Sequence, residues 1–253
     1  MAGDPVPIAI ETRGLCREFG GRPAVRDLEL RIRRGELYGF LGPNGAGKTT
    51  TIRMLGGLLR PTRGEIRIDG HDARDGAAHV RRITGLVPDT PPLQDYLTGR
   101  QYVAFVASLW RVPATQRDEE AERLFRLFDL ADRADDLCKG YSHGMRKKLH
   151  VAAVLATRPK VLLLDEPTAG LDPRSARILK DLLRETSARG VTVFLSTHLL
   201  ETAQEICDRI GILSQGERVA EGTMEELRSR EDESLERIFL RLTEEADAGA
   251  PPG

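Results

Sequence analysis

The nine residues Gly42 to Thr50, GPNGAGKTT, constrain this chain more than any other stretch of it. Gly42-Pro43-Asn44-Gly45-Ala46-Gly47-Lys48-Thr49 fits G-x-x-x-x-G-K-[ST]. The match follows the short apolar run Leu37 to Leu41 and precedes a helical stretch that stops before Pro61. Strand, loop and helix in that order form the first unit of an α/β fold. Glycines without side chains let successive backbone N–H groups turn inward around phosphate oxygens, and the start of a helix adds the positive end of its dipole. Lys48 is then placed to reach β- and γ-phosphates and Thr49 to ligate Mg2+. The loop specifies a nucleotide and leaves the chemistry open.

Other segments extend this unit. Two further apolar runs, Val161 to Leu164 and Val191 to Leu195, suit strands buried on both faces, so the predicted sheet is central and mostly parallel. Nearer the start, Leu28, Leu30 and Ile32 alternate with Glu29, Arg31 and Arg33, the pattern of a strand with one wet face. With the extended stretch Ile8 to Cys16 and a turn at Phe19-Gly20-Gly21 it predicts an antiparallel pair. From about Leu93 to Leu137 the pattern turns helical, with Phe105, Leu109, Leu124, Leu127, Phe128 and Leu130 as its apolar positions. Length allows one compound domain. We expect it to span 8–242, with a helical subdomain inserted over about 93–155, between disordered ends at 1–7 and 243–253.

Bulk properties exclude some classes. Thirty-eight basic and 39 acidic side chains nearly cancel, so no global field draws the chain to nucleic acid, and none is expected as a partner. No segment approaches the roughly 20 apolar residues that span a bilayer, and MAGDPVP lacks the pattern of a secretory signal, which predicts a soluble protein. Cys16, Cys138 and Cys207 are too scattered for a metal-type pair and read as small buried residues.

Four further residues carry candidate chemistry. Asp165 and Glu166 close the run Val161 to Leu164, where the carboxyl end of a parallel strand opens onto a ligand crevice. There Asp165 would hold Mg2+ while Glu166 orients and deprotonates the attacking water. His198 follows another buried strand and reads either as structural or as a hydrogen-bonding sensor of the γ-phosphate. Ser142 precedes a helix whose apolar residues Met145, Leu149, Ala152 and Ala156 form one stripe. It reads as a plain N-cap or as part of an anion site serving a phosphate bound elsewhere.

The order of these motifs resembles the nucleotide-binding subunit of the ATP-binding cassette (ABC) superfamily, from about Ile8 to Leu242. GPNGAGKTT resembles its Walker A, VLLLDEP its Walker B, YSHGM its signature, AGLD its D-loop and STH its switch-histidine loop. The resemblance implies an α/β P-loop NTPase core with an N-terminal antiparallel β subdomain and an inserted helical one, binding ATP and Mg2+. It implies that Gly42 through Thr50 and Asp165 hold nucleotide, with Thr49, Asp165 and Asp89 near the metal and Lys48, Glu166 and His198 catalytic. Phe19 would stack on adenine, Asp89 would occupy the Q-loop position, and Ser142 and Gly144 would contact the ATP of a second subunit. That second subunit would be another copy or a related cassette.

Three positions depart from the family pattern: Asp89 and Met145 stand where glutamine is usual, and His143 where a glycine is usual. Together with STHLLETAQEICDRI and the tail LERIFLRL, the set looks most like the bacterial exporter branch, which implies a separate transmembrane permease and a peripheral place on the cytoplasmic face of the membrane. The alternative of a soluble cassette with a non-membrane partner lacks a tandem second cassette, a coiled-coil arm or a zinc-type cysteine set. A GTPase would need an N-K-x-D motif, which the sequence does not contain.

Overall fold

The computed structural model describes residues 7–74 and 76–229. In chain order its elements are β1 (Ile8–Phe19), β2 (Arg22–Arg33), β3 (Leu37–Leu41), α1 (Lys48–Leu55), β4 (Arg63–Ile68), β5 (His71–Asp72), α2 (Ala77–Ile83) and β6 (Thr84–Val87). The helices α3 (Gly99–Leu109), α4 (Ala114–Leu127) and α5 (His143–Leu155) come next. The chain closes with β7 (Val161–Asp165), α6 (Pro173–Ala188), β8 (Thr192–Thr197), α7 (Leu200–Ile206), β9 (Arg209–Ser214), β10 (Glu217–Gly222) and α8 (Met224–Ser229). The tail LERIFLRL and residues 243–253 lie outside the described residues, as do residues 1–6. Pro7, counted with the leading segment from sequence, accepts a hydrogen bond from the Arg34 N–H at 2.9 Å.

Two sheets form. The first is antiparallel, in the order β2-β1-β4-β5, and the second runs β10-β9-β3-β8-β7-β6, parallel from β9 to β6 with β10 antiparallel at its edge. The predicted hairpin turns at Gly20 and Gly21, both with positive φ. On β2, Val25, Leu28, Leu30 and Ile32 are buried while their charged neighbours face water, as the alternation requires.

Strands β3, β7 and β8 are buried along their whole length and feed two cores. Leu162, Leu164, Val193 and Leu195 face the inserted helices and α6. Val161, Leu163 and Phe194 face the other way, packing with Phe40, Ile52 and the apolar face of the antiparallel sheet. The period of two therefore sorts each strand onto both cores, and a continuous apolar run is needed to satisfy both. This is the expected α/β arrangement: a P-loop core, an N-terminal antiparallel sheet, and helices α3 to α5 inserted between β6 and β7.

Helix α1 stops before Pro61, as expected: it ends at Leu55, where Gly56 and Gly57 turn the chain and Gly57 adopts a φ of 69°. In the inserted helices Leu124, Phe128 and Leu130 are buried, but Phe105 and Leu109 are exposed on α3. Four residues apart, they share a face that α4 and α5 leave uncovered.

A buried histidine ties the insertion to the sheet. His150 of α5 lies 2.7 Å by Nδ1 from the Tyr102 hydroxyl of α3 and 3.3 Å by Nε2 from the Leu86 carbonyl of β6. The carbonyl can only accept, so Nε2 carries the proton and Nδ1 accepts from Tyr102. Burial pushes the His150 pKa down to about 4, with the Leu86 hydrogen bond opposing. The unfolded chain takes up this proton near pH 6.5 and the folded chain only near pH 4, so acidification through that window favours unfolding. The stability that neutral His150 confers is whole above about pH 6.5 and falls by about 3 kcal/mol on reaching pH 4. Urea denaturation of wild type and His150→Gln at pH 7 and pH 4 checks this: the stability gap should shift against wild type by that amount, and an unchanged gap contradicts it.

Candidate nucleotide site

The loop after β3 is held from two sides. A Cβ on Gly42 would lie 2.3 Å from the Leu213 carbonyl oxygen of β9, and one on Gly47, at a φ of 107°, would lie 2.4 Å from the Ala24 carbonyl oxygen of β2. Only glycine lets the backbone pass so close. The Ala46 carbonyl accepts from Gly216 N–H at 2.9 Å, and Gly42 N–H donates to Thr197 of β8 at 3.3 Å. Lys48 opens α1 and is buried, its Nζ donating to the Gly42 and Pro43 carbonyls at 2.7 and 3.0 Å. Burial lowers its pKa, and the carboxylates of Glu166 and Asp165 oppose that shift. Thr49 and Thr50 follow in the first turn, Thr49 exposed.

Strand register brings the acids to this loop. Asp165 pairs with Ser196 across β7 and β8, and the Ser196 hydroxyl donates to Asp165 Oδ1 at 2.5 Å. Glu166 leaves the sheet with a φ of 46°, a left-handed conformation uncommon outside glycine, and its N–H donates to the Ser196 carbonyl at 3.1 Å. Its Oε1 stands 3.0 Å from His198 Nδ1 and 3.6 Å from Lys48 Nζ. Its Oε2 is buried with no hydrogen-bond partner. A cavity of about 270 Å³ joins these groups, walled by the loop from Asn44, by Lys48, Thr49 and Thr50, and by Asp89, Asp165 and Glu166. A larger cavity of about 560 Å³, between α1, β4 and α2, touches none of these acids or loop residues and plays no part in the chemistry.

The remaining predicted residues fall into two groups. Asp89, in the loop after β6, lines the cavity and pairs with Lys147 at 3.0 Å. His198 does not line the cavity itself but contacts Glu166, which does. Phe19 lies at the end of β1, half-exposed, with the Arg17 guanidinium 4.5 Å over one ring face. Ser142 caps α5, its hydroxyl accepting from Met145 N–H at 3.3 Å, and neither it nor Gly144 lines the cavity. Gly144 instead lies against the turn after β7, where an added Cβ would sit 3.5 Å from the Gly170 carbonyl oxygen.

Sequence reasoning missed Lys147. It is fully buried and reaches Asp89 together with the backbone after β7. A signal existed, since Lys147, Val151 and Val154 are spaced four and three apart and form a second buried stripe beside the one read from Met145.

The chain is similar to known proteins over most of its length. Residues 25–169 match the family model described as ABC transporter. The daunorubicin resistance ATP-binding protein DrrA3 of Streptomyces coeruleorubidus is 41% identical over 242 residues, 96% of this chain and 76% of that protein. The Nod factor export ATP-binding protein I of Burkholderia lata is 37% identical over 86% of this chain and 72% of its own length. A solved ATP-binding subunit of an ABC transporter superposes with a TM-score of 0.88 at 32% identity, covering 93% of this chain and 99% of that one. The cassette MJ0796, solved as a dimer in a post-hydrolysis state with ADP and Pi, gives 0.78 at 26% identity over 85% and 98%. With a loop, two acids and a histidine gathered at one sheet edge, and relatives of this kind along nearly its whole length, the chain belongs to the ABC transporter family as an ATP-binding subunit.

Proposed function

We propose that this chain hydrolyses Mg·ATP in a head-to-tail pair of cassettes, and that closing and opening of the pair drives export through a separate membrane permease. The observation that carries the reading is Glu166, a residue of the phosphate cavity wall: one carboxylate oxygen is anchored by His198 and faces Lys48, while the other is buried without a hydrogen-bond partner. A buried polar atom left unpaired is costly unless a ligand or water completes it.

In hydrolysis water attacks the γ-phosphorus, its proton passes to the Glu166 carboxylate, and the bond to the ADP oxygen breaks. Lys48, at the loop and beside Glu166, offsets charge on the β- and γ-phosphate oxygens. His198 donates from Nδ1 to Glu166 Oε1 and so fixes the carboxylate's direction. A second donation from His198 to the γ-phosphate needs the imidazolium, in which both nitrogens carry protons. Mg2+ takes oxygen ligands, most of them from phosphate and water, with one or two from protein. The Thr49 hydroxyl and Asp165, oriented by Ser196, fit that donor set, with Asp89 in the same cavity. When bound, the metal neutralises phosphate charge.

Each chain supplies half of a site. Ser142 and Gly144 stand at the start of a 13-residue helix, outside the chain's own phosphate cavity. That helix start suits the γ-phosphate of a second cassette, whether a copy or a relative, across an isologous interface. Phe19 stacks on adenine with the ring face opposite Arg17. No helix among the described residues is long and apolar enough to cross a membrane; in this reading the channel is a separate permease, with the cassette on its cytoplasmic face. Exposed Phe105 and Leu109 of α3, with Tyr96 before it, supply an apolar surface for the permease's cytoplasmic segments. Export is favoured by relatives named for daunorubicin resistance and Nod factor export.

Two substitutions test the reading. Glu166→Gln should keep ATP binding, lose on the order of 10²-fold or more in phosphate release, and accumulate an ATP-bound dimer on size exclusion. A wild-type rate would remove Glu166 from the role of base. Ser142→Arg should bind a fluorescent ATP analogue as wild type does yet fail to hydrolyse ATP, because the lesion falls on the other chain's nucleotide. Unchanged turnover there contradicts the shared site.

A further inference from the structure

Lys147 is a lysine with no exposed surface, and its three ammonium protons meet three acceptors from two separate segments, the Asp89 loop and the turn after β7. Nζ donates to Asp89 Oδ1 at 3.0 Å, to the Glu166 carbonyl at 2.9 Å and to the Ala169 carbonyl at 2.9 Å. Burying an ammonium costs free energy unless its geometry is complete, and here each proton is used. The pair with Asp89 is one-sided, however: Lys147 is wholly buried whereas the Asp89 side chain is 55% exposed and lines the phosphate cavity. An ion pair built for packing alone would bury both partners.

The two carbonyls define what the lysine fixes. Glu166, Pro167, Thr168 and Ala169 form a turn, closed by Ala169 N–H donating to the Glu166 carbonyl at 3.2 Å. Lys147 binds both ends of that turn. At its first residue the backbone is left-handed, with a φ of 46° at a residue that carries a Cβ. Such a conformation persists only where its surroundings over-determine it. The Glu166 N–H is set by Ser196 from one side and its carbonyl by Lys147 from the other, so the peptide units flanking the Cα are both pinned. The side chain leaving that Cα is the one that reaches His198 and Lys48.

We propose that Lys147 is a positioning residue for hydrolysis: from α5 it holds the backbone of Glu166 in its strained turn and presents Asp89 to the nucleotide cavity. It is not part of the cavity wall. The helix that carries Ser142 and Gly144 is thereby fastened, about 7.5 Å along its axis from Ser142, to the base and the Asp89 loop of its own chain. This inference rests on the reading of Glu166 as the base.

Steady-state hydrolysis and binding of a fluorescent ATP analogue without Mg2+, measured on the full chain for Lys147→Met, Lys147→Gln, Asp89→Asn, the Asp89→Asn/Lys147→Gln pair and Glu166→Gln, test it. Lys147→Met should lower kcat on the order of 10²-fold while KM and analogue affinity stay within about threefold, because the loop and Lys48 are untouched. Lys147→Gln, which keeps part of the hydrogen bonding, should lose about tenfold, and Asp89→Asn less. The double variant should lose less than the product of the two single losses, since both changes weaken one shared contact. A folded Lys147→Met with wild-type kcat, or with KM raised and kcat unchanged, overturns the proposal. If Lys147→Met does not fold, Lys147→Gln decides by the same criteria, and failure of both to fold makes Lys147 structural and overturns it too. Glu166→Gln separates the two levels: if it turns over normally the base assignment fails, and if it is dead while the Lys147 variants are not, only the positioning role fails.

Discussion

Register in the parallel ladder β3-β8-β7 decides where every reactive group ends up. Leu41 pairs with Thr197 and Asp165 with Ser196, so Gly42, Glu166 and His198 leave the sheet side by side at its carboxyl edge. Because these strands are apolar on both faces, alternation of polar and apolar residues cannot set that register, as it does in a half-buried sheet. Size and polar contacts must do so. Gly39 lies where an added Cβ would come within 2.8 Å of Cys207 Sγ, Tyr38 stacks on Phe194 at 5.7 Å, and the Ser196 hydroxyl binds Asp165 at 2.5 Å. A one-residue slip would lose all three and would carry Asp165 into an apolar core.

The edge so formed is a place where charge and strain are both concentrated. Lys48 is buried against backbone carbonyls, Asp165 is nearly inaccessible, and Glu166 combines a left-handed backbone with an unpaired carboxylate oxygen. None of these serves folding, since each costs free energy that an apolar residue in the same place would not. Their mutual contacts offset part of the cost: Lys48 with Glu166, Glu166 with His198, and Asp165 with Ser196. A nucleotide is the natural completion of such a set, bringing anions to the ammonium.

Much of this was legible in the sequence, for definite reasons. The loop, the acids and His198 each follow an apolar run that only a buried strand explains, so placing the strands placed the chemistry. Ser142 was legible as a cap because a helical stripe begins just beyond it. Less visible were β6, whose four residues include Gly85 and sit before Pro88, and the hairpin of β9 and β10 around Gln215 and Gly216. Short strands carry too little pattern for their period to be read. Phe105 and Leu109 show the reverse error: their helical spacing was sound, but spacing does not tell which apolar face is covered. Lys147 was hidden because a lysine among Arg146 and Lys148 reads as a solvated face. Its burial depends on contacts with Asp89, Glu166 and Ala169, far from it in the chain.

The central claim is that each ATP is hydrolysed by the loop of one chain and the α5 start of another, and mixing two inactive chains tests it most directly. In a heterodimer of Lys48→Ala and Ser142→Arg, both lesions fall on one nucleotide, and the other site combines an intact loop with an intact helix start. The account predicts that the mixture hydrolyses ATP although neither variant does so alone. A mixture that remains as inactive as its components, while heterodimers demonstrably form, would contradict it.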